Sequence, residues 1–439
     1  MLSRSRVSAL VVLPILVFVS IVLSTHARAT QTDTTFLSSY VDGGKDLADR
    51  ANAMVSSPDG QRVFATGIAR TARGSSGTDY LTVAWDASNG SPLWTRRFGH
   101  ERSRDRAMSI SIGPNGRLVF VAGVTTGGHG RHAWTTLAYS ASTGTLRWVA
   151  KARLPGARPA TSFGFQPTAV LAGDGRVVVA GNTQVDGSTG DSYPAVVLAY
   201  SAATGGELWR SRYSPQLYPT ATRGAIVRSA AVDPSRDRLY LGIQVDETPT
   251  ANSEGVLAID LMSGQRLWRS HYTGDAISTH PDAIAVAPQG RRIYLAGELD
   301  LEPRRLLAFK PRGGALAWDA NLRSSLGSMT AIAPDRQDHA VFSTGSLSNS
   351  SILGTVLKTW GVEAKTGEVL WKTGFARRSR SGSLSQGIAA VPNADGSVIY
   401  VAGDSSVLHC TTDCAWSPDI VTLAYDTGSG EILWHRIFG

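Results

Sequence analysis

The chain is poor in cysteine, with Cys410 and Cys414 its only two in 439 residues. Two cysteines three residues apart cannot hold a fold of this size together. In an exported chain they suit a local disulfide that stiffens one short loop. They also fall short of a zinc set, because His409 is the one adjacent ligand and no second pair follows; no metal is expected. Lysine is scarce as well, at six residues, so nearly all the positive charge is arginine. No long basic run with interleaved aromatics is present, which argues against a nucleic-acid partner. The chain has no G-x-S-x-G elbow and no G-x-x-x-x-G-K-[ST] loop, so the common hydrolase and nucleotide-binding signatures are missing. Outside the N-terminus no segment is apolar enough to cross a bilayer, and no stretch keeps a helical period. Hydrophobic residues nevertheless make up 42% against 18% charged, so a large core is within reach.

The one long apolar run is at the start. Arg4 and Arg6 precede a run from Val7 to Leu23, and Ala27-Arg28-Ala29 supplies a small-residue cleavage site. Residues 1–29 therefore read as a signal peptide and 30–439 as the mature domain, secreted or held in the cell envelope. The alternative is an uncleaved N-terminal membrane anchor, the only membrane contact expected. Removing the leader leaves 40 basic against 35 acidic residues, a mild excess.

What is abundant is glycine, 46 residues, and a repeat organised around it. Trp94, Trp148, Trp209, Trp268, Trp318, Trp371 and Trp434 each follow a glycine four residues earlier: Gly90, Gly144, Gly205, Gly264, Gly314, Gly367 and Gly430. A small residue stands ten before each tryptophan, and the spacing averages about 57 residues. Each unit reads as four strands. In the second, "AMSISI", the turn "GPNG", "RLVFVAG", "TTLAYSA", the turn "STG" and "TLRWVAK" follow in order. The expected fold is all-β: a seven-bladed β-propeller of four-stranded antiparallel blades. The glycine should supply a positive-φ turn between third and fourth strands, and the tryptophan should wedge between blades. The small residue should let the neighbouring blade approach. One segment, "FLSSYVDGG" at 36–44, resembles an eighth outer strand, and is expected against the last blade, where the ring must close.

"AWDASNGSPLW", "AYSAATGGELW", "AIDLMSGQRLW" and "AYDTGSGEILW" resemble the Ala-x-Asp-x-x-x-Gly-x-x-x-Trp repeat of the PQQ-like, or quinoprotein-alcohol-dehydrogenase-like, β-propellers. "DYLTVAWDASNGSPLWTRRFG" with "DRAMSISIGPNGRLVFVAG" is also similar to the bacterial surface-associated propeller repeat. The resemblance implies the fold and spans nearly all of the mature chain; it implies no single activity. Its enzymatic members imply eight blades, a vicinal cysteine pair and calcium with PQQ. Here there are seven repeats and separated cysteines, and the repeat's aspartate survives only at Asp86, Asp260 and Asp426.

Loop length points to a side of the ring. Turns within the first and second halves of each blade are tight. The long connections, from strand two to three and from strand four to the next blade, emerge on one face. That face carries Arg102, Arg104, Arg106, Arg131, His132, Arg304 and Arg305, a set suited to carboxylate or phosphate groups. His129 with His132, and "DGSTGD" at 186–191, have metal-ligand chemistry but too few donors. The reading is an exported, non-catalytic binding or scaffold protein with a protein, glycan or anionic surface partner and no cofactor. The alternative is an oxidoreductase, PQQ-dependent or otherwise, working in the central funnel.

Overall fold

The computed structural model describes residues 50–438, apart from 71–76, 100–102, 127–131, 155–165, 174, 184–192, 214–223, 247–251, 273–278, 300–304, 323–328, 350–353, 377–382, 394 and 411–413. The signal segment, the 36–44 segment, Arg102, His129, Arg131, 186–191 and Arg304 lie outside the described residues.

Among the described residues, 28 strands form seven four-stranded antiparallel sheets, each a simple meander in chain order. The blades span 50–98, 106–152, 166–213, 224–272, 279–321, 329–375 and 383–438. The one helical piece among them is a 3-10 turn, Pro234–Arg236. Blade 2 shows why the sequence divides as it does. Its strands are β5 (Arg106–Ile112), β6 (Leu118–Thr126), β7 (His132–Ser140) and β8 (Leu146–Ala152). The middle strands are buried on both faces; β6 is mostly apolar, and β7 buries Thr135 and Thr136 among its apolar residues. The outer strand alternates, Leu146 and Arg147 out, Trp148 in.

The first strand of every blade packs on the first strand of the next, from blade 1 through blade 7, which places these strands on the axis. Each of the seven first strands is interrupted by a register shift against its second strand. Several residues released by these bulges clip the next blade. Asn52 Nδ2 donates to Ala107 O at 2.6 Å, Thr168 Oγ1 to Val227 O at 3.2 Å, and Thr330 Oγ1 to Gly387 O.

All seven repeat glycines have positive φ, between 66° and 81°. In six of the blades the tryptophan of one blade lies on the glycine of the next. A Cβ at Gly144 would stand 2.7 Å from Trp94, and one at Gly430 would stand 2.4 Å from Trp371. The same six indoles donate to the backbone of the next blade: Trp94 to Ala141 O, Trp148 to Ala202 O, Trp209 to Leu261 O, Trp268 to Pro311 O, Trp318 to Ala364 O and Trp371 to Thr427 O. Trp434 departs from the rule and is 36% exposed.

The small residue has a different part from the one expected. It pairs across the sheet with its own blade's tryptophan, as Ala84 with Trp94 and Ala138 with Trp148. At Gly361 a Cβ would stand 2.4 Å from Trp371 of the same blade. The space is needed within the blade, because the ring folds back over its cross-strand neighbour. The repeat aspartate is a turn residue. Asp86, Asp260 and Asp426 accept from the backbone N–H of Ser88, Ser263 and Ser429, each at 2.8 Å. Hydrogen bonds from those serine hydroxyls, then the backbone, hold these carboxyls below the ordinary aspartate range.

Candidate functional site

The strand ends on the long-connection face carry two polar clusters. The first joins blades 1 and 2 and is built on a buried aspartate. Asp105, fully buried, accepts from Ser103 Oγ at 2.8 Å and from Thr126 N at 2.7 Å. This pins the entry to β5, where Arg104 also forms a bridge with Thr78. Because residues alternate, burial of Asp105 turns its neighbours Arg104 and Arg106 outward, and both are exposed. Thr126 Oγ1 donates to Arg104 O at 3.2 Å and is 3.2 Å from His132 Nδ1. His132 is half-buried, and burial, then the Arg106 charge, pushes its pKa down, so the ring is neutral near pH 7. The structure therefore gathers Arg104, Arg106 and His132.

The second cluster joins blades 4 and 5 and contains Arg305, three blades further round. Its parts come from β15 (Asn252–Asp260), β16 (Arg266–Tyr272), β17 (Thr279–Val286), β19 (Arg305–Phe309) and β20 (Leu316–Asn321). Arg305 Nη1 and Tyr272 Oη both donate to Asp319 Oδ2, each at 2.5 Å. Ser253 Oγ is 2.5 Å from His271 Nε2. Glu254, 4% exposed, lies among Asp319, Asp282 and Arg305. Burial, then the two aspartates, raises its pKa to about 8 against the pull of Arg305. Glu254 is thus protonated at neutral pH, beside a carboxylate tied to an arginine. Chemically the cluster stores a proton between two blades. Arg305 is engaged here in an ion pair and is 23% exposed.

A shallow cavity of about 730 Å³ opens on the opposite, short-turn face, with Asp59, Arg62, Asn115, Arg117 and Arg147 in its wall. Neither this cavity nor the Glu254 cluster is visible in the sequence. Their members are spread over several strands, and only adjacent blades bring them together.

Cys410 and Cys414 are cross-strand partners at the end of β26 (Val398–Cys410) and β27 (Cys414–Asp426). Directly opposed positions have a Cα separation within disulfide range. Their side chains lie outside the described residues. Among the described residues no three His, Cys, Asp or Glu side chains converge as a metal site. The cysteines are separated by three residues rather than adjacent. No helix among the described residues is long and apolar enough to cross a membrane.

Comparison with known proteins agrees with the architecture. A family model described as outer membrane protein assembly factor BamB matches residues 137–347. A search of curated protein sequences gave no match. BamB from Moraxella catarrhalis is 15% identical over 89% of this chain and all of its own, with a TM-score of 0.45. Quinohemoprotein alcohol dehydrogenase from Comamonas testosteroni is 12% identical over 86% of this chain and 67% of its own, with a TM-score of 0.52. Sqt1 from Chaetomium thermophilum is 11% identical over 88% and 87%, also at 0.52. The last two show likeness of fold. The resemblance to the PQQ-like β-propeller repeat thus holds both in the sequence model and in the ring.

Proposed function

We propose that the chain is an exported, non-catalytic propeller that holds a protein partner, bearing acidic groups, on its long-connection face. The observation that carries this reading is the first cluster. A fully buried aspartate turns two arginines outward on the face where the long connections emerge. The match of residues 137–347 to a family described as an assembly factor supports a scaffold role. Guanidinium groups bind carboxylates through paired hydrogen bonds, which gives an orienting contact as well as an attraction.

The test is capture from the envelope fraction with the full chain and an Arg104→Glu, Arg106→Glu variant. The partner retained by the wild type should bind the variant roughly tenfold more weakly, and mostly through a slower association rate. Equal retention by both proteins would sink the reading.

A further inference from the structure

Arginines on the short-turn face are used differently in different blades. In blades 4 and 5 the arginine at the start of the second strand clips the next blade. Arg238 Nη1 donates to Pro311 O at 2.6 Å, and Arg292 Nη2 to Lys365 O at 3.3 Å. Arg236, in the preceding turn of blade 4, is paired with Asp233 at 2.9 Å and donates to Gln289 O at 3.0 Å. Arg62 holds the same place in blade 1, and Arg117 directly precedes the second strand of blade 2. Arg147 stands on the outer strand of blade 2. All three line the cavity between blades 1 and 2. Among the described residues their guanidinium groups make no hydrogen bond and no ion pair. Arg62 is half-buried, and Arg117 and Arg147 are exposed, so all three can reach a bound molecule.

The same cavity lacks a carboxylate that the repeat supplies elsewhere. Arg62 faces Asp86 across the sheet, as Arg238 faces Asp260. In blade 2 that repeat position is Ser140, and Ser140 is part of the cavity wall. One acid remains there, Asp59, and its carboxylate is taken up by its own turn. It accepts from Ser57 Oγ at 2.5 Å and from Gln61 N at 3.0 Å. Three arginines against one aspartate leave the wall positive. Neutral donors stand among them. Ser140 Oγ and Ser142 Oγ are 3.2 Å apart, and Asn115 accepts from Arg117 N at 3.0 Å, which leaves its amide N–H groups to the cavity. The turns of the two blades meet at the wall, where a Cβ at Gly116 would stand 3.3 Å from Pro58. We propose that this cavity binds a small dianion whose charged part is a phosphate monoester or a pair of carboxylates. Guanidinium forks hold either oxyanion through paired hydrogen bonds. The volume of about 730 Å³ lies in the range of small-molecule sites. This site is on the face opposite Arg104 and Arg106 and stands whether or not the partner proposal holds.

Titration calorimetry on the full chain at low salt tests it, with glycerol 2-phosphate and succinate as separate probes. At least one of them should fill a single saturable site with a Kd below about 1 mM. Binding of the ester alone or of the dicarboxylate alone supports the proposal and says which group the site takes. Arg117→Gln with Arg147→Gln, both exposed and so harmless to the fold, should weaken that binding by about tenfold or more. Ser140→Asp restores the residue that the repeat uses in blades 1, 4 and 7, so the turn should still close. It should weaken binding by a similar factor, because a carboxylate then competes for the guanidinium groups. Arg312→Gln with Lys365→Gln removes two exposed cations elsewhere on the same face and should change the affinity less than about twofold. The Arg104→Glu, Arg106→Glu variant should bind the probe as the wild type does. Absence of saturable binding by either probe up to about 10 mM overturns the proposal. So does equal weakening by the cavity pair and the distant pair, because a diffuse field would then account for the binding.

Discussion

Glycine and tryptophan share one contact, and neither can be changed alone. The glycine needs positive φ for its turn and must lack a Cβ because an indole lies on it. Gly430 meets both demands; Gly396, with φ of 78° and open space around it, meets only the first. Gly396→Ala should cost about 1–2 kcal/mol of backbone strain. Gly430→Ala should cost clearly more, because Trp371 must also shift; chemical denaturation of the two variants compares them. The tryptophans are unequal in the same way. Trp371→Ala removes a buried ring and an indole bond and should cost about 3–5 kcal/mol. Trp434→Ala should cost less than half as much in the same experiment, since its ring is partly in solvent and has no carbonyl partner among the described residues. An equal loss at both positions would contradict the exposure seen here.

At the scale of strands and blades, contacts run between neighbours, so local chemistry decides local stability. The blade 4–blade 5 junction is the clearest case. The Glu254 carboxyl has an ordinary value near 4.5 when the chain is unfolded and about 8 in the fold. Between those values the folded protein holds a proton that the unfolded chain has released. Stability therefore falls as pH rises through that window, by about 1.4 kcal/mol per unit for one proton, and levels off above it. Glu254→Gln should remove this slope and leave the protein more stable near pH 8. Urea midpoints at three pH values across the window measure it. A slope that persists in the variant would place the proton elsewhere.

At the scale of the molecule, the ring separates a face of tight turns from a face of long connections. Capture of an acidic partner at Arg104 and Arg106 should weaken as salt rises from about 0.05 M to 0.5 M, since both side chains are exposed and screening shortens to a few ångströms. Retention that does not change with salt would point to an apolar contact surface instead.

The repeat was legible because its physics is local. A glycine that must turn, an aromatic four residues later and apolar runs between Asn/Asp-Gly turns each describe one blade, and seven copies describe seven blades. The role of the repeat aspartate as a turn acceptor came only with the structure. What the sequence could not determine was anything made between blades. Glu254, Asp282, Arg305 and Asp319 become one electrostatic unit only when two blades face each other. Arg104 and Arg305 look alike in sequence, but one is turned to solvent by a buried aspartate and the other is spent on Asp319. The exposure of Trp434 belongs to the same class. Its sequence context matches that of the other six, and only its place at the end of the row leaves its ring open. Backbone turns and strand patterns depend on residues a few positions apart, whereas burial, charge coupling and ring closure depend on which distant strands the fold sets side by side.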